Sequence, residues 1–247
     1  FSTCAEQGLC ARRKGEAFWD VLSEKGIASV LLHYPVTFPA TPLKGRLLSG
    51  MGATDIKGTE GVFSVFTTRD FDENQVQGRV VKVAWDKRGA INAALTGPRV
   101  AKKGGMEEVS VPVRIQRLEG KKIRIQIQNQ THDLSLGELS EWFQLKFKVG
   151  FFKTVNGICR AHLANLDPFF VLYISPINID PTRPVWKISH PPAYSKEIYD
   201  HIGFYYTQGI PFDTWALNEG WISEETFLDL ATGVQEEYLK QMRLELN

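Results

Sequence analysis

The sequence predicts a mixed α/β fold, and the changes of hydrophobic period along its 247 residues are what predict it. Near the N-terminus a helical period is followed by a glycine and a short apolar run, which is the order of an α/β repeat. Further on the period becomes two, as in an antiparallel sheet with one buried face, and after Pro192 it is helical again. The predicted order is a partial α/β core over 1–85, a β-rich insertion or cap over 86–180, and a helical segment over 181–247.

Composition excludes several classes of partner. Lys and Arg number 29 against 28 Asp and Glu, so the formal charge of +1 provides no net field for a nucleic-acid polymer, and we expect none as a partner. No run approaches the roughly 20 apolar residues of a membrane span, so we expect no membrane segment. The cysteine count of 3 is odd and low, which favours free thiols over a Cys4–Cys10 disulfide. Localisation is not indicated.

The first predicted elements are a helix and a strand. Residues 15–25 carry Phe18, Val21 and Leu22 at helical spacing, and Gly26 follows as a C-terminal stop. The apolar run 27–32 then predicts a strand buried on both faces in a parallel sheet. Prolines at 35, 39 and 42 predict an extended loop beyond the strand. Open α/β sheets bind ligands at this end of their strands, so His33 is a substrate-facing candidate.

The segment Ser49-Gly50-Met51-Gly52 lacks a nucleotide-loop pattern. The third glycine position of G-x-G-x-x-G is Asp55, and no Gly-Lys-Ser/Thr follows. Gly50 and Gly52 are therefore read first as a tight turn that needs positive φ, with phosphate contact as the alternative.

The middle of the chain predicts antiparallel strands. Apolar residues alternate over 109–116 and 123–127, and Glu119-Gly120 between them predicts a hairpin. Pro112 favours an edge position for the first of these strands. Alternation continues over 143–149, and the run 169–173 predicts a better-buried strand.

The C-terminal part predicts three helices over 193–203, 213–220 and from Ser223 onward. In the third helix Ser223 is the predicted N-cap, and Glu224 and Glu225 follow in the first turn. Its apolar residues form one stripe that predicts core packing, namely Phe227, Leu230, Ala231, Val234, Tyr238 and Met242.

Three segments carry a resemblance to a known family. They are 173–181 (YISPINIDP), 188–192 (ISHPP) and 206–215 (YTQGIPFDTW), and 18–26 (FWDVLSEKG) belongs with them. Together they resemble the central part of type I phosphodiesterase/nucleotide pyrophosphatase-like proteins, a branch of the alkaline phosphatase superfamily. The resemblance runs from about Lys14 to the C-terminus.

That resemblance implies an alkaline-phosphatase-like α/β core and hydrolysis of phosphate esters at two divalent metal ions, commonly zinc. A threonine or serine attacks phosphorus in this family. No metal ligand or nucleophile maps onto a position of this chain, so the resemblance implies that they lie outside it and that this chain alone binds no metal. Phe1 in place of a methionine and an apolar pattern running to Asn247 predict an internal fragment.

The expected function is therefore a fragment of a metal-dependent phosphohydrolase or phosphodiesterase that acts on a small-molecule phosphate ester. The phosphoglycerate mutase-like branch of the same superfamily shares the mechanism and is a further possibility. The alternative from a different class is a non-catalytic ligand-binding β module, with contacts from Trp85, Trp142 or Trp186.

Candidate substrate-facing residues are His33, Ser49, His190 and Asp213. In the family a Ser-Gly-Met-Gly stretch recurs beside the active-site cleft, which adds Ser49 to the candidates. His190 precedes two prolines and either faces a substrate or is hydrogen-bonded to the backbone. Asp213 is read first as a helix N-cap and second as a ligand contact. No catalytic residue is predicted within the chain.

Overall fold

The computed structural model describes residues 15–102, 104–151, 153–208 and 213–246. Cys4 and Cys10 lie outside these residues, and so does part of the segment 206–215. Within them the fold is mixed α/β, mostly sheet with four α-helices, which confirms the predicted class at this level. None of the helices described is both long enough and apolar enough to cross a membrane.

The helices are α1 Phe18–Glu24, α2 Tyr194–Ile202, α3 Thr214–Asn218 and α4 Glu224–Leu246, and a short 3-10 turn spans Glu73–Gln75. The strands are β1 Ser29–Tyr34, β2 Gly45–Ser49, β3 Ser64–Thr67, β4 Arg79–Lys82, β5 Ala90–Lys102, β6 Gly105–Leu118, β7 Lys122–Ile127, β8 Gln130–Ser135, β9 Phe143–Lys148, β10 Thr154–Cys159, β11 Ala161–Asn165, β12 Val171–Ile174, β13 Asn178–Ile179 and β14 Ser189–His190.

The chain divides into two compact units, each made of separate stretches of sequence. The first unit comprises 1–55, 178–211 and 231–247, and the second comprises 56–177 and 212–230. Strands β3 and β4 group with the second unit because β3 pairs with both β12 and β4. The sequence-based boundary at residue 85 placed these two strands in the partial core instead.

The sheet of the first unit has three strands in the order β1-β2-β14. β1 runs parallel to β2, as the sequence predicted, and β14 runs antiparallel to β2. The expectation that β1 is buried on both faces is wrong, because Leu31 is its one buried residue. Among the described residues β1 also lies at the edge of its sheet. Leu31 packs on Trp19 of α1, whereas Val30 is 46% exposed.

The two glycines in the turn after β2 are required for different physical reasons. Gly52 has a φ of 97°, which confirms the predicted positive φ. Gly50 does not have the positive φ predicted for it and is required by space instead, since a Cβ there would stand 2.2 Å from the Cα of His33. The turn closes with a bond from the Ala53 N–H to the Gly50 carbonyl.

The second unit contains an antiparallel sheet β5-β6-β7-β8 and a second sheet β11-β12-β3-β4. The predicted hairpin is confirmed as β6 and β7, with Ile115 opposite Ile125 and both fully buried. β6 is not an edge strand, contrary to the reading of Pro112. Pro112 pairs with β5 and lies beyond Val113, where the pairing with β7 ends, so no ladder bond to β7 is lost there.

The C-terminal helices begin where the sequence predicted. The Asp213 side chain accepts from the Ala216 N–H at the start of α3, and the Ser223 hydroxyl accepts from the Thr226 N–H at the start of α4. The stripe of α4 departs from prediction at its end, because Met242 is 44% exposed while the polar Gln241 beside it is 1% exposed.

We predict opposite effects for two glycine-to-alanine substitutions. Gly50→Ala forces its new methyl group against the backbone of β1 and should lower the free energy of unfolding by about 2 to 3 kcal/mol. Gly233→Ala, in α4 with open space at its Cβ position, should raise it by about 0.5 to 1 kcal/mol. Urea unfolding of both variants beside the parent chain measures the two changes, and equal shifts would contradict the close approach at Gly50.

Candidate functional site

The centre of the candidate site is the side chain of Asn178 in the first unit. Its Oδ1 accepts hydrogen bonds from the N–H groups of Thr207 and Gln208, at 2.9 and 3.0 Å. The Thr207 hydroxyl donates in return to the Ile179 carbonyl at 2.9 Å. Asn178 and Thr207 are 1% and 2% exposed. Two of the segments that carry the family resemblance are thus joined by buried hydrogen bonds.

The third segment joins the same network through two serines. The Ser189 hydroxyl accepts from the Ser195 N–H at 3.2 Å, and the Ser195 hydroxyl donates to the Pro181 carbonyl at 2.9 Å. The Tyr205 hydroxyl donates to the Ser195 carbonyl at 3.0 Å. Burial raises the pKa of Tyr205 well above its ordinary value, so its hydroxyl stays protonated. We call these residues, with Asn178, Thr207 and Gln208, the motif network.

The spare hydrogen-bonding capacity of the motif network lies at Gln208. Its side chain is 1% exposed, and neither Oε1 nor Nε2 finds a partner in the described part of the chain. A buried polar group without a partner costs about 1 to 3 kcal/mol. A primary amide offers two donors and an acceptor, so the unused capacity at this position is of both kinds.

His33 is held against α4 within the first unit. Its ring stacks on Tyr238 with centroids 3.8 Å apart, and its Nε2 lies 2.5 Å from Oε1 of Gln241. Because that oxygen only accepts, Nε2 carries the proton and Nδ1 is an acceptor, which has no partner among the described residues. Burial lowers the pKa of His33 to about 4, so the imidazole is neutral near pH 7.

Ser49 and His190 belong to the same sheet as His33. Ser49 pairs with Tyr34 across β1 and β2, and His190 pairs with Leu47. The Ser49 hydroxyl is 1% exposed and donates to the Thr37 carbonyl at 3.0 Å, so it is already engaged. The His190 side chain is half-buried and makes no hydrogen bond within the described ranges. Three of the four candidates are therefore collected on one sheet.

Asp213, the fourth candidate, belongs to the second unit. Its Oδ1 accepts from the Ala216 N–H at 3.0 Å and its Oδ2 from the Tyr173 hydroxyl at 3.2 Å. The side chain is 8% exposed, and burial raises its pKa to about 6 despite these bonds. Its helix-capping role is confirmed, and the raised pKa makes it the most perturbed carboxyl of the second unit's described residues.

The described residues do not form a metal centre. No group of three or more His, Cys, Asp or Glu in them is arranged to hold a metal ion. Cys159 is a free, buried thiol whose pKa burial raises to about 12, which keeps it protonated and unsuited to metal binding. The residues described here do not fit the two-ion site that the family resemblance implies.

The three tryptophans named for the binding-module alternative have separate packing roles. Trp85 meets Phe170 edge to face, and Trp142 lies under the guanidinium of Arg160. Trp186 meets Phe38 edge to face in the first unit. Each is half-buried.

Sequence reasoning missed Asn178 and Gln208 as site residues although it quoted the segments that contain them. One signal was available for Asn178, which stands between Ile177 and Ile179 in a run where both flanking side chains are buried. A polar residue in such a run must satisfy its hydrogen bonds internally. No comparable sequence signal marks Gln208, because its burial depends on Asn178, which is distant in sequence.

The raised pKa of Asp213 predicts how stability changes with pH. The folded chain binds this proton more tightly than the unfolded chain, so stability should fall as pH rises from about 4 to about 6 and stay lower above that. The loss amounts to about 3 kcal/mol. Asp213→Asn keeps the cap oxygen and removes the titrating group, so it should abolish this fall.

The matched control is Asp72→Asn, an exposed residue whose carboxylate caps the turn at Asn74. Urea unfolding at several pH values compares the two variants with the parent. An unchanged pH slope in Asp213→Asn would contradict the assignment.

Comparison of the chain with protein-family models, with curated proteins and with solved structures finds no match. The family resemblance therefore depends on the four sequence segments, and the function is proposed from the way they are arranged.

Proposed function

We propose that this chain is part of a metal-dependent phosphohydrolase or phosphodiesterase of the type I phosphodiesterase/nucleotide pyrophosphatase-like family. In this proposal the first unit belongs to an alkaline-phosphatase-like core and the β-rich second unit to its cap. The observation that carries the proposal is the motif network, where the segments 173–181, 188–192 and 206–215 meet through buried hydrogen bonds.

The chemistry of the motif network supports a ligand-binding role better than a purely structural one. A core position filled by an apolar side chain costs nothing in hydrogen bonding, whereas Gln208 is buried with both amide atoms unpaired among the described residues. Such a cost persists where it serves a function. The Gln208 N–H donates to Asn178 Oδ1, which fixes the backbone from which the amide side chain projects.

The residues of this chain would bind and orient the substrate. The Gln208 Nε2 can donate to a phosphoryl oxygen, and its Oε1 can accept from a hydroxyl of the esterified group. The two metal ions that the family resemblance implies would supply activation of the attacking oxygen and stabilisation of the leaving one. We propose that their ligands and the nucleophile come from residues outside this chain, since the described residues do not form such a site.

A second function, ligand binding without turnover, is favoured by one observation in the second unit. There the side chains of Arg69, Phe169 and Trp221 line an open cleft, with the guanidinium stacked on the indole. Binding in this cleft needs no metal ion.

The experiment that separates the two functions measures hydrolysis of p-nitrophenyl phosphate and bis-p-nitrophenyl phosphate with zinc or manganese. The 247-residue chain is assayed beside the complete gene product that contains it. We expect turnover by the complete product alone, abolished by a chelator. Activity of the chain by itself would place metal ligands within it, and inactivity of both would leave ligand binding as the function.

Gln208→Ala in the complete product should lower kcat/KM for these substrates by about tenfold to a hundredfold, since a hydrogen bond to a charged group is lost. Its thermal stability should fall only by the packing lost on truncation, because the amide has no hydrogen-bond partner among the described residues to lose. The control Gln126→Ala removes an exposed glutamine from β7 and should change neither quantity. A stability loss in Gln208→Ala with unchanged kcat/KM would make the residue structural.

A further inference from the structure

The second unit contains an open cleft of about 310 Å³, a volume within the range of small-molecule sites. Side chains of different character line it, among them Arg69, Asn165, Phe169, Trp221 and Ser223. They come from the ends of β3 and β11, from the loop before β12 and from the segment between α3 and α4. None of the four candidates from sequence analysis belongs to this cleft.

The guanidinium of Arg69 is the most informative group in the cleft. Its Cζ lies 4.0 Å from the centroid of the Trp221 ring, which is 2% exposed and is braced edge to face by Phe71. A cation–π contact of this kind satisfies none of the guanidinium N–H donors, which stay available for hydrogen bonds. Within the described residues these N–H groups bond no carboxylate, and only the backbone N–H of Arg69 is engaged, by the Thr67 hydroxyl.

The acidic residues nearest in sequence to the lining residues are each committed to another donor. Asp70 lies 2.6 Å from Lys82, and Asp167 holds Arg117 at 2.7 Å. Glu219 accepts from the Trp221 indole N–H and from the Gln77 N–H, both at 2.8 Å. The positive charge of Arg69 is therefore not neutralised by its neighbours. The planar guanidinium can donate two parallel hydrogen bonds to a carboxylate or a phosphate.

Two acidic residues also follow the lining residue Ser223. Glu224 and Glu225 are in the first turn of α4, where they are exposed to solvent and therefore screened by salt. The N-terminal dipole of α4 offsets their charge in part. They weaken the attraction of the cleft for an anion, but the Arg69 guanidinium remains available to bind one.

The rest of the cleft suits an aromatic group. Phe169 lies on its wall with 47% of its surface exposed, so part of its apolar surface is available for packing. The Asn165 Oδ1 accepts from the Leu166 N–H, whereas its Nδ2 donates to no described residue. An exposed ring, a free amide donor and an unpaired guanidinium thus line the same volume.

We propose that this cleft binds a small aromatic compound carrying a phosphate or a carboxylate. The anion pairs with the in-plane N–H groups of Arg69, and the ring packs on Phe169. The site does not depend on the proposed hydrolase function, because it uses neither the motif network nor a metal ion. It can therefore be tested on the 247-residue chain by binding alone.

The test is calorimetric titration of the chain with phenylphosphonate, together with ¹H–¹⁵N spectra of the Trp221 indole. Methylphosphonate lacks the ring, benzyl alcohol lacks the charge, and benzoate replaces the phosphonate by a carboxylate. We expect phenylphosphonate to bind about tenfold more tightly than methylphosphonate or benzyl alcohol and to shift the indole signal. The ratio of phenylphosphonate to benzoate affinity identifies which anion the site prefers.

Arg69→Gln should weaken phenylphosphonate binding at least about tenfold, and the exposed Arg88→Gln serves as the matched control with no change. Arg69 also packs on Trp221, so a second variant is needed that cannot disturb the fold. Phe169→Ala removes a half-exposed ring and should abolish the preference for phenylphosphonate over methylphosphonate.

The absence of binding to the parent chain would overturn the proposal. Equal weakening in Arg69→Gln and Arg88→Gln would do so as well, since it would indicate attraction by net charge alone. A preference for the aromatic ligand that survives Phe169→Ala would place the ring elsewhere and contradict the assigned cleft.

Discussion

The arrangement of the first unit depends on one side-chain oxygen. Asn178 is the first residue of that unit after the long stretch 56–177 that belongs to the second unit. Its Oδ1 accepts from two consecutive backbone N–H groups, which fixes the returning chain to residues 207 and 208. An aspartate would bring a buried charge to this position, and a glutamine would reach one bond too far. The geometry therefore specifies the residue closely.

The local hydrophobic pattern was sufficient to predict most of the helices and strands of this fold. Alternation over the β6–β7 hairpin and the apolar stripe of α4 report which face of an element is buried, and both elements form where predicted. Two predictions about the surroundings of a strand failed. β1 was expected to be buried on both faces and is largely unburied, while the strand that contains Pro112 was expected at an edge and is internal. The order of strands in a sheet is set by partners that are distant in sequence. The hydrophobic period of a segment cannot reveal those partners.

The same limit applies to the candidate site. His33 and His190 were selected by position and Ser49 by the family resemblance, and the sheet β1-β2-β14 does collect them. Their environments come from partners that no local rule identifies, as when Tyr238 and Gln241 enclose the imidazole of His33. Asp213 was the exception, since its capping role depends on the three residues that follow it. Its pKa is raised by burial, and that burial could be recognised only from the structure.

The second unit cannot be transferred to another protein as one continuous segment, because it consists of two separate stretches of sequence. Its larger stretch, 56–177, ends before the smaller one, 212–230, begins. That short stretch supplies the Asp213 partner of Tyr173, and Thr226, whose hydroxyl lies 3.1 Å from Nε2 of His162. It also supplies the Glu219 carboxylate that accepts from the Gln77 backbone. A gene fusion that moved only the larger stretch to another protein would separate all three pairs. The two stretches must therefore be inherited, exchanged or lost together.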